Sequence, residues 1–329
     1  MSLDKYYHFY RNKLLFSLAL RKYRKQHPDF SDRSFILPPE ELDKMCEQLI
    51  KQQENADTDC RNLDERSVRG LDVVLVQLKN CRAWKITKEE NRKDRIIYYI
   101  HGGGFTNCST KQYFDFISHA VNHFGYDVFS IDYRLAPRYK CLDILSDCTD
   151  GYEELLKDYD GEDICLMGES AGAALTLTLT LKLKELNLQL PSGIVCCSPL
   201  SQFEYYPYSY YENAGKNDFL IGFGTIDNIY PIYRGQLDYT SPYMSPLYGD
   251  LSSFPKVYLD ASYHESMRDD ARALYGKLKM LGNDVEYHEL DHFSHAELVN
   301  PGHRYVRKEE YPLIQDFLNR LFERRSDAG

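Results

Sequence analysis

From Leu71 onward, short apolar runs bounded by polar residues alternate with longer stretches of helical period. The runs Val73–Leu78, Cys81–Ile86, Ile96–Ile100, Val128–Ile131, Ile164–Met167, Ile194–Cys197, Val257–Leu259 and Val285–His288 have the length and apolar content of strands. Between or after them, Lys111–Phe124, Asp143–Tyr159, Ala171–Asn187, Met267–Leu281 and Glu309–Arg324 read as helices. Such alternation predicts an α/β chain with a mostly parallel central sheet covered by helices on both faces. The first strands are joined by short loops and are expected to pair antiparallel.

Two stretches break this rhythm. Residues 1–65 read as helical and highly charged, with Pro38-Pro39 as a break before a helix over Glu40–Lys51. Within them, Leu14–Leu20 is apolar and predicts an amphipathic helix. It is followed by Arg21, Lys22, Arg24 and Lys25 rather than a small-residue cleavage site, so it does not read as a secretory signal. It is also too short to span a bilayer. Residues 203–240 are tyrosine-rich and have no clear period; a connection of that length in a compact domain is usually a functional insertion or lid.

Composition narrows the picture. The chain of 329 residues is 43% hydrophobic and 27% charged, enough to bury a sizeable core. A net charge of −10 argues against nucleic acid and anionic membrane as partners. Nine cysteines without a CxxC pair give neither a disulfide framework nor a zinc site, so reduced thiols in a cytoplasmic protein are expected, with no metal.

Candidate chemistry gathers at the strand ends. After Ile96–Ile100 comes His101-Gly102-Gly103-Gly104. Three glycines in a row cost conformational entropy, so the backbone there needs positive φ or close approach to bare N–H groups. A tight turn is the plain reading; an anion-binding loop is the sharper one. Residues 164–175, "ICLMGESAGAAL", place Gly168-Glu169-Ser170-Ala171-Gly172 between a strand and a helix. This is the G-x-S-x-G nucleophile elbow, whose sharp turn leaves no room for side chains two residues either side of the serine. With both motifs present, the N–H groups of Gly102, Gly103 and Ala171 are expected to converge on a developing oxyanion, Gly104 to let the loop pack closely, and His101 to brace it.

Serine needs a base, and the base needs an orienting acid, in the chain order Ser, acid, His. After Val257–Leu259 the candidate acids are Asp260, Glu265, Asp269 and Asp270. Asp269 and Asp270 read as first-turn residues of the next helix, and Glu265 is favoured over Asp260. After Val285–His288, His292 and His295 are both candidate bases, while His288 and His303 read as bystanders.

"HGGGF" at 101–105, "DYRLAP" at 132–137, "GESAG" at 168–172 and the acid and histidine segments resemble the hormone-sensitive-lipase-like esterases and lipases of the α/β-hydrolase superfamily. The resemblance covers roughly residues 70–300. It implies an α/β-hydrolase fold, with a core over 66–202 and 241–329 and a helical cap from 1–65 and 203–240. It puts Glu265 at the acid position of "ESMRDD" and His295 at the base position of "HAE". Arg138, Ser262 and Ala296 depart from the family pattern, where Glu and two glycines are usual. Asp132 and Arg134 are expected to hold the loops through ion pairs. The expected activity is serine hydrolysis of small carboxylic esters with short or aromatic acyl groups, without a cofactor. Deacetylation of a sugar or other metabolite, and ligand binding without hydrolysis, are the alternatives; long-chain lipase action has less support. The resemblance also admits a homodimer through the last edge strand.

Overall fold

The computed structural model describes residues 36–323 apart from 215, 216, 219, 223 and 292–294. The helix expected around Leu14–Leu20, the rest of residues 1–35 and the candidate base His292 lie outside the described residues. In chain order the main elements are α1 (Pro39–Asn55), β1 (Asp72–Gln77), β2 (Arg82–Thr87), β3 (Arg92–Ile100), α2 (Phe114–Phe124), β4 (Tyr126–Asp132), α3 (Cys141–Leu155) and β5 (Ile164–Glu169). They continue with α4 (Ala171–Glu185), β6 (Gly193–Cys197), α5 (Tyr208–Asn213), α6 (Thr225–Tyr233), β7 (Lys256–Ser262), α7 (Arg268–Met280), β8 (Val285–Leu290) and α8 (Tyr311–Phe322).

The eight strands form one sheet in the order β1-β2-β4-β3-β5-β6-β7-β8. β1 and β2 pair antiparallel, as their short connection predicts; β2 and β3 are also joined by a short loop, but β4 inserts between them and pairs antiparallel with β2; every other pair is parallel. Alternation along β3 divides the core. Ile96, Tyr98 and Ile100 join α3, α4 and α7 on one face; Ile97 and Tyr99 join α2 and α8 on the other. Gly125, at φ +78°, stops α2 in a left-handed turn and lets β4 begin at the next residue.

The central helix α4 is buried around nearly its whole circumference. Its interior threonines are tolerated because each hydroxyl returns to its own backbone: Thr176 to Ala173 O, Thr178 to Leu175 O and Thr180 to Thr176 O. Over the carboxyl ends of the strands, the tyrosine-rich segment holds α5 and α6. It meets the lead-in to α1, where Leu37 N donates to Asn228 Oδ1 at 2.9 Å. Among the described residues, none of the nine cysteines is in a disulfide. No helix among them is long and apolar enough to cross a membrane.

Candidate active site

The site is built where β3, β5, β6 and β7 end together. Register pairs Ile100 with Gly168, Glu169 with Cys197 and Cys197 with Asp260, so the loops after these strands share one edge. At the end of β5 the chain turns into α4 through Ser170, held at φ +55° and ψ −121° with its N–H donated to Cys197 O at 2.9 Å. A non-glycine residue in this conformation costs about 1–3 kcal/mol, which the surrounding packing must over-determine. That packing is tight. A Cβ on Gly172 would lie 2.0 Å from Ile100 O, and one on Gly168 would lie 2.6 Å from the Gly172 backbone. The side chains missing from G-x-S-x-G are missing because backbone occupies their space.

The turn presents Ser170 Oγ to His295 Nε2 at 2.8 Å. On the other side of the ring, His295 Nδ1 meets Glu265 Oε2 at 2.7 Å, while Glu265 Oε1 accepts the Ser262 N–H at 2.9 Å. Glu265 and His295 are buried. Burial alone would push the imidazole pKa down, but the hydrogen bond and charge of Glu265, with Asp218 and Glu169 behind, hold it above its ordinary value. The candidate acids differ in what they touch. Asp260 accepts from Tyr258 Oη on the other face of β7, Asp269 accepts the Ser209 N–H, and Asp270 accepts from the Ser201 hydroxyl. Among the described residues, only Glu265 touches a candidate base. His288 stacks on Tyr258, away from Ser170.

The glycine loop corrects one expectation. The Gly102 N–H, expected to face an oxyanion, is instead donated to the buried Glu169 Oε1 at 2.5 Å. A Cβ there would sit 2.6 Å from that same oxygen, and one on Gly103 would sit 2.5 Å from Asn107 O, so both positions need glycine for close packing. Gly103 and Gly104, at φ +93° and +62°, turn the loop. Among the described residues, no intramolecular acceptor takes the N–H of Gly103, Gly104 or Ala171. Ala171 is also the first residue of α4, at the positive end of its dipole.

Several supports have no clear mark in the sequence. Glu169 Oε2 accepts the Tyr99 hydroxyl at 2.8 Å, and burial pushes this carboxyl up to about 7. Tyr133 donates to His101 O at 2.8 Å and stacks on the His101 ring at 4.2 Å. Gln53 of α1 donates to both Thr106 O and Ala136 O, tying the glycine loop to the "DYRLAP" loop. Their signal is faint: Glu169 and Tyr133 lie inside motifs whose other letters carry the recognisable chemistry, and Gln53 lies outside every motif.

His101 braces the loop as expected, with Nδ1 against Gly102 O at 2.9 Å. Asp132 accepts from Arg82, Trp84 Nε1 and the Thr110 N–H, while Arg134 grips the buried Asp147 of α3. The departures have visible partners. Arg138 pairs with Glu54 of α1, and Ser262 Oγ accepts the His264 N–H. Ala296 stands at φ +54°, a left-handed position that suits the family's glycine.

A serine hydroxyl, a ring nitrogen facing it, a carboxylate behind the ring and three N–H groups without an intramolecular acceptor among the described residues thus stand together at one sheet edge. Comparison with known proteins shows the family. The family profile described as alpha/beta hydrolase fold matches residues 97–299. The chain is 25% identical over 224 residues to an acetyl-hydrolase of Streptomyces hygroscopicus, covering 68% of this chain and 74% of that one. It is 32% identical over 118 residues to the hormone-sensitive lipase of Mus musculus, covering 34% of this chain and only 16% of that protein. Among solved structures, an esterase from the bacterial hormone-sensitive lipase family superposes with a TM-score of 0.73 at 26% identity, over 87% of this chain and 99% of that one. The chain belongs to the α/β-hydrolase fold family, among its hormone-sensitive-lipase-like esterases, and is a hydrolase of the carboxylesterase type.

Proposed function

We propose that the protein hydrolyses small carboxylic esters through an acyl-enzyme on Ser170. The supporting observation is the unbroken chain from Ser170 Oγ through His295 to Glu265, at 2.8 and 2.7 Å. Ser170 Oγ attacks the ester carbonyl while His295 Nε2 takes its proton. Glu265 keeps the other ring nitrogen protonated and stabilises the imidazolium. The carbonyl oxygen, now an anion, accepts from the N–H groups of Gly103, Gly104 and Ala171, each such donor being worth roughly 100- to 1,000-fold in rate. His295 returns the proton to the leaving alcohol, and water then repeats the sequence on the acyl-serine.

Segment 203–240 acts as the cap in this reading. Ile229 of α6 approaches Gly104 so closely that a Cβ there would meet its Cδ1 at 3.2 Å. Tyr233 stacks face to face on Phe105 at 3.8 Å, with Phe203 beside it. Aromatic side chains pressed against the glycine loop favour short or aromatic acyl groups over long chains. The acetyl-hydrolase likeness favours a second reading of the same site, deacetylation of a small acetylated metabolite.

The test is hydrolysis of p-nitrophenyl esters from acetate to dodecanoate by the wild type and Ser170→Ala. Activity that peaks on acetate or butyrate and disappears in the variant is expected. Activity surviving in Ser170→Ala would remove Ser170 from the mechanism. A wild type that neither turns over any ester nor labels with a fluorophosphonate would favour a binding role instead.

A further inference from the structure

The loop that carries Glu265 is held to β7 through Ser262, and it is also gripped, residue by residue, by the tyrosine-rich segment above it. Asn213 Nδ2, at the end of α5, donates to the Glu265 carbonyl at 3.0 Å. The next N–H, that of Ser266, is donated to Asp218 Oδ2 at 2.8 Å. The Ser209 hydroxyl donates to the Ser266 carbonyl, and the Ser266 hydroxyl donates to Ile221 O. Asp218 has no exposed surface, and its other oxygen accepts the N–H groups of Leu220 and Ile221 at 3.0 Å each. A carboxylate this deep is costly unless its oxygens are satisfied. Three backbone donors satisfy it, one of them from the residue beside Glu265.

We propose that Asp218 is a positioning residue for the reaction: it fixes the Glu265 loop in register with His295 and adds its charge to that pair across the boundary between cap and core. The inference rests on the Ser170–His295–Glu265 reading above. Its chemistry follows from the charges that face the ring. Three carboxylates surround His295: Glu265 from the acid loop, Asp218 from the segment above and Glu169 from the elbow. Glu265 and Asp218 favour the imidazolium that forms when Ser170 attacks, and Glu169, pushed up to about 7 by burial, adds to them once it ionises. Movement of the upper segment therefore moves both the acid and part of the field that steadies the base.

Asp218→Asn tests this with little change of shape. An amide has one acceptor oxygen, so it cannot serve both the Ser266 N–H and the Leu220 and Ile221 pair. A displacement of Glu265 of about 1 Å would lower kcat by on the order of 100-fold. A loss of at least tenfold in kcat is expected, with KM changed less. Losing a negative charge beside His295 also lowers the pH at which the ring deprotonates, so the acid limb of kcat/KM should move to lower pH. A merely structural residue would not move that limb. Wild-type kcat, or reduced kcat with the limb unmoved, overturns the proposal.

Should Asp218→Asn fail to fold, Asn213→Ser removes the grip on the Glu265 carbonyl, together with the bond that Asn213 Oδ1 accepts from Asn217, but no charge. It should lower kcat severalfold; unchanged kcat again overturns the proposal. Fluorophosphonate labelling separates the two levels of inference. Failure of the wild type to label at Ser170 defeats the serine reading itself. Equal labelling rates for wild type and Asp218→Asn defeat only the role of Asp218.

Discussion

Gly172→Ala should disable the site without touching any reacting atom. The added Cβ would stand 2.0 Å from the Ile100 carbonyl oxygen and 2.7 Å from the His101 carbonyl carbon and oxygen. All three are backbone atoms, so no flexible side chain can swing away. Relief requires the start of α4 and the end of β3 to part by roughly 1 Å, and displacements of that size cost on the order of 100-fold in rate. Both halves of the site ride on these two elements, since α4 begins just after Ser170 and β3 runs directly into the glycine loop. The strain should also cost about 1–3 kcal/mol of stability, as overpacked sites do. The assay is kcat for p-nitrophenyl butyrate beside a thermal melt of the same preparation. A loss of about 100-fold in kcat with a melting point lower by several degrees is expected. Wild-type kcat in a folded Gly172→Ala protein would mean that the elbow is not wedged against β3, and that backbone crowding is not what empties the outer positions of G-x-S-x-G.

Three further outcomes follow from the interior. Arg134→Met leaves Asp147, which has no exposed side-chain surface, without its cation, and should cost about 3–5 kcal/mol in urea unfolding at pH 7; a loss below about 1 kcal/mol would show that the pair is not needed. Glu169, Asp260 and Asp270 are each pushed up to about 7 by burial. The unfolded chain releases those protons near pH 4 whereas the folded one holds them to about 7, so stability should fall as pH rises between these values, by about 1.4 kcal/mol per pH unit for each group; a melting point that is flat or rising from pH 5 to 7 contradicts the burial argument. Ala296→Gly should raise stability by about 0.5–1 kcal/mol by relieving a left-handed residue, and a loss on denaturation would place the strain elsewhere.

The strands were legible because each carries its own apolar run, and the sheet needs nothing more than such a run to recruit it. What was not legible depended on distance or on weak local signal. β3 begins at Arg92, four residues before its apolar run, because an exposed strand end can carry Arg92, Lys93 and Asp94 at no burial cost. α5 and α6 are hidden for a different reason. They are 6 and 9 residues long, α6 contains Pro231, and both are held by contacts with the core loops rather than by an amphipathic period of their own. The acid could be narrowed to Glu265 and Asp260 from spacing. Loop position and the family resemblance favour Glu265; what the sequence does not show is that Asp260 emerges on the other face of β7, against Tyr258.

The glycine run marks the limit most clearly. Gly102, Gly103 and Gly104 are identical letters, and nothing local says which N–H groups remain free. The answer comes from Glu169, a residue 67 positions away that β-sheet register delivers beside Gly102. Once that carboxylate takes the Gly102 N–H, the free donors shift one residue along the loop, to Gly103 and Gly104. The same bond explains why the second letter of "GESAG" is acidic in this chain. Glu169 reaches back from the elbow with one oxygen on Tyr99 and the other on Gly102, so the two motifs are held by a single side chain. Ser170 and the glycine loop are therefore placed relative to each other by one buried hydrogen-bonded group, and the spacing between them in sequence is free to be anything that closes the βαβ units in between.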